Sequence, residues 1–373
     1  MNTVRTSDVL VVGAGIVGLS HAIAAVERGL SVTVIDRDAR AVGASIRNFG
    51  HACVTAQTGE LAELAQVARE KWLRYSRLAG FFHVESGALA IARSAAESAV
   101  LDELAGSREG EDVRLLTANE VRQQLGAASD PTILAGALLR DDLRVDPRQA
   151  VGALATWLAE QPGVEFSWRT SYLGAHDGLV RTTRGDFHAA RTIVCVGHDL
   201  DLLYPELAEQ YEVERCALQM ARVEAPDGLA LGPAVLTGTS MLRYPAFAET
   251  DAAAALRVEM AARHPELVDI VANVMFTQRP DGTLIVGDSH RYAVTQDPFL
   301  AESTSTTLLD AVARILGVAG LRVVERWQGV YASSPRQPFL VAEAEPGVTA
   351  AIVTSGVGMT ISLGLAELTF GGF

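Results

Sequence analysis

Apolar and polar positions along the chain follow two periods. Residues 8–12 (DVLVV) and 31–35 (SVTVI) are short apolar runs rich in β-branched residues. Between them IVGLSHAIAAVERG carries apolar residues that suit a helix, with Gly29 as its stop signal. The chain therefore opens on a βαβ unit. Residues 60–78 (ELAELAQVAREKWLRYSRL) predict a long amphipathic helix with a solvated face. From residue 83 the elements shorten, with strands in VESGALAIA and helices at 94–105 and 147–161. The stretch VEFSWRTSYLGAHDGLVRTTRGDFHAARTIVCVG reads as successive strands with turns at DG and RGD. Further strands are expected at 213–224, 240–247, 271–278 and 283–288, and a helix at 303–316. Residues 348–354 (VTAAIVT) form a buried strand that leads through glycines into a final helix.

An α/β pattern thus opens the chain, recurs in its middle and closes it, while strand-rich stretches interrupt it twice. The fold class this implies is α/β with an α+β second domain. A Rossmann-like nucleotide-binding domain would be assembled from 1–82, 141–212 and 320–373. A substrate-binding domain with a mostly antiparallel sheet would come from 83–140 and 213–319. The length of 373 residues is ample for both cores.

Composition narrows the function. With 49% hydrophobic and 20% charged residues the chain is globular. A formal charge of −14 speaks against a nucleic-acid partner, which needs a basic face. No apolar run reaches the roughly 18 residues that span a bilayer. The N-terminus passes directly into a strand without a leader pattern, so a cytoplasmic location with no membrane partner is expected. Lys71 is the one lysine and lies in the polar helical stretch, which disfavours Schiff-base chemistry. Cys53, Cys195 and Cys216 are widely separated and read as small buried hydrophobes. No metal site is expected among the eight histidines. The sequence sets no oligomeric state.

The strongest motif is Gly13-Ala-Gly15-Ile16-Val17-Gly18, which follows a strand, opens a helix and precedes Asp36-Arg37 at the end of the next strand. Gly13 permits the tight turn, Gly15 lets backbone approach a pyrophosphate, and Gly18 lets helix and strand pack closely. Asp36 can accept hydrogen bonds from ribose hydroxyls, and its charge disfavours a 2′-phosphate. At the far end Gly356-Val-Gly358-Met359-Thr360 again joins a buried strand to a helix. A second glycine-rich helix start more than 300 residues away suits a long cofactor, its positive end stabilising a reduced flavin ring. A mid-chain strand closing on Gly197 (IVCVG) fits the same pattern. Together these favour FAD over NAD.

With those motifs the sequence resembles the D-amino-acid-oxidase-like FAD oxidoreductases, the relatives of glycine and sarcosine oxidase, over essentially its whole length. Gly43-Ala-Ser45 adds to the likeness. Ser45-Ile-Arg47-Asn48-Phe-Gly, Cys216-Ala-Leu-Gln219-Met, Arg243-Tyr244-Pro-Ala-Phe, Gly287-Asp-Ser-His290 and Arg326-Trp-Gln-Gly329-Val-Tyr331 are similar to a subgroup linked to phosphonate catabolism. The resemblance implies oxidation of a 2-aminoethylphosphonate-like amine. It puts Ser45 at the pyrophosphate or ribityl chain, Arg47, Asn48 and His51 beside the flavin, and backbone near Tyr172 at the adenine. The strands around Gln219, Arg243 and Gly287 would cover the flavin. Sarcosine oxidases attach flavin through a cysteine where this chain has Gly329, so non-covalent FAD is expected. Their oxygen-activating lysine has no counterpart, because Lys71 lies in another region.

In that chemistry the flavin performs the hard step, and the protein places the C–H bond, excludes water and keeps the amine deprotonated. Arg47 and Arg243 are the candidate clamps for an anionic tail, and Tyr244 and Tyr331 can close the pocket or donate hydroxyl hydrogen bonds. His290 and His51 are the candidates for tuning amine protonation or supplying positive charge; His83, His176, His188 and His264 read as structural. Rival readings are an NAD-dependent dehydrogenase, a non-catalytic flavin-binding redox sensor or subunit, and, within the enzyme class, a glycine, sarcosine or D-amino-acid oxidase.

Overall fold

The computed structural model describes residues 5–108, 112–126 and 128–371. Strand β1 (Arg5–Val12), helix α1 (Ile16–Glu27) and strand β2 (Val32–Asp36) form the expected βαβ unit. Helix α2 (Gly59–Ala79) follows, and later strands β3 (Val164–Trp168) and β4 (Phe187–Val194). β1 runs parallel to both β2 and β4, and β2 runs parallel to β3. The unbroken apolar run of β1 arises because both faces of this sheet are covered. Val9 and Val11 face a core shared with α1 and α2, while Leu10 and Val12 face a second core with Tyr172 and Phe187.

The second sheet contains strands β5 (Glu214–Val223), β6 (Met275–Gln278) and β7 (Leu284–Gly287). Helix α3 (Glu302–Leu316) then leads to β8 (Val323–Ser333). Among the described residues this sheet is antiparallel except where Ala234–Leu236 lies beside Ala88–Ala92. The chain returns to the first sheet through β9 (Val348–Val353), parallel to β4, and ends in helix α4 (Gly358–Thr369).

The sequence pattern differs from the structure in three places. Residues 240–247 are not a strand but two helical turns, Gly238–Met241 and Pro245–Ala248. Pro245 opens the second turn, where its missing N–H costs nothing, whereas in a strand it would break the ladder. The strand at 323–333 falls in the stretch expected for the first domain, yet it pairs with β5 along its length. Helix α2 does more than present a solvated face. Its stripe of Leu64, Ala65, Ala68, Trp72 and Tyr75 is buried, largely against α4. Gly364 permits that crossing, because a Cβ there would lie 2.2 Å from the Leu64 carbonyl oxygen.

Candidate active site

A cleft of about 410 Å³ lies where the turn after β1, the start of α4 and the inner strands of the second sheet converge. The residues that the sequence singles out for cofactor, substrate or catalysis line it, except Gly18, and except Gln219 and Gly287 on the strands expected to cover the flavin. Gly18 packs behind the turn, where a Cβ would fall 1.8 Å from the Gly13 carbonyl oxygen. Gly13 takes φ +102°, and a Cβ there would meet the Cys195 carbonyl at 2.6 Å. Gly15 differs, since its nearest neighbour is Ser45 Oγ at 3.0 Å.

Asp36 is tied into this turn. One carboxylate oxygen accepts the Ala14 N–H at 2.7 Å and the other accepts the Asp38 N–H at 2.9 Å. Burial raises its pKa against the pull of those bonds. Arg37 pairs with Asp199 at 2.7 Å, on the turn that follows Gly197. Gly15 offers no side-chain cap to α1; Ser45 Oγ from the following loop accepts the Ile16 N–H at 2.9 Å instead, at the helix start that faces the cleft. Asn48 is spent on its own loop, donating to the carbonyls of Ala44 and Ser45 and accepting from Gly50. The Tyr172 hydroxyl lies 2.6 Å from that of Tyr204. The start of α4 also lacks a side-chain cap, and the Thr360 hydroxyl accepts the Cys53 N–H at 3.0 Å. Two helix starts and a glycine turn in one cleft suit a long, doubly anionic dinucleotide.

The second sheet supplies the other wall. Arg243 donates to the Tyr331 hydroxyl at 2.8 Å, and Gly356, at φ +78°, leaves room for both. A Cβ on Gly356 would approach Tyr331 to 3.0 Å. Arg47 donates to the Gln328 carbonyl at 3.2 Å. Tyr244 points its hydroxyl at Met275 Sδ, 3.7 Å away. His290 is buried beside this group, with Nδ1 2.9 Å from the Val271 carbonyl. Burial and the charge of Arg243 push its pKa down to about 3, so the ring is neutral and supplies no positive charge. Gly329 lines the same wall, 3.1 Å from the Arg47 carbonyl were it to carry a Cβ.

Several partners escape a reading of sequence. Asp142, ninety-one residues from His51, bonds its Nε2 at 2.7 Å. Donor atoms of His51, Cys53 and Asp142 lie within 4.8 Å of one another, a spacing that a metal could use. The Asp142 oxygens are however taken by His51 and the Thr55 N–H, and burial and Asp142 push the Cys53 thiol up, away from a ligating thiolate. The cluster is read as hydrogen-bonded. Asp288, Asn273, Met275, Thr170 and Asp199 also line the cleft. Asp288 lies within the Gly287-Asp-Ser-His290 stretch, but nothing in that stretch shows its surroundings. Lys71 lies outside the cleft, bonded to Glu27 and, at 2.7 Å, to Glu367.

A family model described as FAD dependent oxidoreductase matches residues 8–370. The fold is similar to that of L-proline dehydrogenase from P. horikoshii, with a TM-score of 0.79 and 19% identity over 99% of this chain and 95% of that one. Glycine oxidase from Bacillus cereus gives 0.76 at 17% identity, over 98% and 95% of the two chains. Iminodiacetate oxidase from Chelativorans sp. gives 0.74 at 20% identity, over 98% and 96%. No curated protein matches in sequence. Among the described residues no helix is long and apolar enough to cross a membrane.

Proposed function

The chain belongs to the family of FAD-dependent oxidoreductases, and from that premise we propose that it oxidises a small primary or secondary amine carrying an anionic tail, an aminophosphonate in the first instance. The observation that carries this reading is Arg243. It lies in the cleft, bonded to the Tyr331 hydroxyl and near that of Tyr292 rather than neutralised by a carboxylate. A guanidinium held this way is a site for a phosphonate or carboxylate, which it can bind through two parallel hydrogen bonds. Arg47 lies in the same lining and offers a second cation.

FAD held by the Gly13–Gly15 turn and the Gly358 helix start would supply the acceptor for a hydride from the carbon beside the amine nitrogen. The protein's part is placement. Arg243 and Tyr331 fix the tail, and Tyr244 and Met275 close the apolar side. Anchoring one end of a small substrate holds its C–H bond at a defined position, which supplies most of what orientation contributes to rate. The FAD is non-covalent in this reading, since Gly329 carries no atom that could bond it.

Oxidation of glycine, sarcosine or a D-amino acid is the second reading, because a carboxylate satisfies the same arginine. Solved relatives of this fold named glycine oxidase and iminodiacetate oxidase favour it. Anaerobic titration of the FAD-loaded protein separates the two. Bleaching by 2-aminoethylphosphonate or its N-methyl or 1-hydroxy derivative, at concentrations where glycine and sarcosine do nothing, supports the phosphonate. Preferential bleaching by glycine or sarcosine overturns it in favour of the carboxylate. Flavin that none of them bleaches returns the protein to a non-catalytic role.

A further inference from the structure

We infer that the Asp288 carboxylate takes the proton from the substrate's ammonium nitrogen, so that the amine is neutral when it is oxidised. This deepens the reading above and rests on it. Asp288 directly follows β7 and lines the cleft with only 6% of its side chain exposed. Its backbone N–H and carbonyl are both engaged with Asn273. Among the described residues its Oδ1 is buried without a hydrogen-bond partner. An anionic oxygen deprived of donors is poorly stabilised, and its carboxylate binds a proton more readily than usual.

The neighbours reinforce this. Arg243 gives its hydrogen bond to Tyr331 and not to Asp288. The cleft therefore holds a cation and a carboxylate that do not cancel each other directly. A substrate with an ammonium a few bonds from an anion can meet both. Burial pushes Asp288 up to about 7, with Arg243 and Asn273 opposing the rise. Of the other groups around it, His290 lies 3.9 Å away by its Nε2 and is pushed down to about 3. Cys216 is pushed up to about 11, and Tyr244 and Tyr331 are raised too, all chiefly by burial. Tyr292 completes the surroundings, stacked on His290.

The step balances without an oxidant. An N–H bond breaks and leaves its electron pair on nitrogen, while an O–H bond forms on Asp288. The substrate loses one positive charge and Asp288 one negative charge. The freed pair is what oxidation at the neighbouring carbon draws upon.

The test is the rate of anaerobic flavin reduction in the FAD-loaded protein between pH 5.5 and 10, with the amine that bleaches it best. The wild type should gain tenfold per pH unit up to about 7 and then level off. Asp288→Asn should be slower at pH 7 by about 10²-fold or more and recover as the amine loses its own proton at higher pH. In parallel, affinity for the substrate's α,α-dimethyl analogue, which has no hydrogen to lose, should weaken in the wild type below pH 7 and show no such limb in the variant. A wild-type rate that follows the free amine's ionisation overturns the proposal and requires no variant. So does an Asp288→Asn profile equal to the wild type, or a loss that never recovers at high pH. Reduction of both proteins alike sinks the role of Asp288 alone, whereas a wild type that no amine reduces sinks the amine reading with it.

Discussion

His51 and Asp142 form a buried pair, with Nε2 of the ring 2.7 Å from a carboxylate oxygen and both side chains almost fully enclosed. The second oxygen accepts the Thr55 N–H at 2.7 Å, so one carboxylate fixes both a ring and the backbone beside it. Among the described residues His51 Nδ1 has no hydrogen-bond partner, and His51 lines the cleft. Asp142→Ala would strand two buried donors at once. It should lower stability by about 3 kcal/mol or more, and Asp142→Asn by less, because an amide oxygen still accepts from Thr55. Urea unfolding of the FAD-loaded proteins measures the difference. Equal midpoints would show that the pair is not holding this loop.

The glycine turn makes a sharper distinction. At Gly18 a Cβ would overlap the Gly13 carbonyl, whereas at Gly15 it would meet only Ser45 Oγ at 3.0 Å, on a backbone of φ −74°. Gly18→Ala should therefore yield little folded protein. Gly15→Ala should fold with a near-normal melting temperature as apoprotein yet retain FAD at least tenfold more weakly, because the methyl occupies the surface a pyrophosphate approaches. Flavin absorbance after gel filtration reads both, and full retention by Gly15→Ala would remove Gly15 from the cofactor cradle.

Those glycines were legible because their chemistry is local. A turn, a strand end and a helix start lie within six residues, and Asp36 joins them at the next strand end. Residues 240–247 read as a strand in the sequence but fold as helical turns, for the opposite reason. Met241, Ala246 and Phe247 are buried, but a short apolar stretch suits a strand or a helix turn equally, and here Pro245 decides. Asp142 and Asp288 show a further limit. Their importance lies in what they touch or fail to touch, across ninety-one residues for one and an unpartnered oxygen for the other. Sequence spacing carries neither fact.

If Arg243 clamps the anion, its shape matters as well as its charge. Arg243→Lys keeps the cation but loses the paired donors, and should raise the Kd for the anionic substrate by ten-fold or more. Tyr331→Phe removes the hydroxyl that accepts from Arg243 at 2.8 Å, and about 1 kcal/mol, or fivefold in Kd, is expected from that loss. Neither change should displace FAD. A substrate affinity indifferent to both substitutions would place the anion elsewhere, with Arg47 the next residue to replace.

Asp288 also carries a stability consequence that separates a chemical role from a packing one. Burial raises its carboxyl from 3.8 to about 7, so between those values the folded protein holds a proton that the unfolded chain has released. Its favourable contribution is complete below about pH 4 and is lost progressively as the pH rises through 7; above that, the buried charge destabilises the fold. Asparagine is neutral throughout and removes the dependence. Each unit of pKa corresponds to about 1.4 kcal/mol, so the gain of Asp288→Asn over the wild type should grow by a few kcal/mol between pH 5 and pH 8. Melting of the FAD-loaded proteins at those two values is sufficient. A variant that is more stable at pH 8, and slow there in flavin reduction, identifies a carboxylate kept in an unfavourable place for its chemistry. A variant destabilised equally at both values would mean that the carboxylate is held by contacts that the amide cannot make, and that its place in the cleft is one of packing.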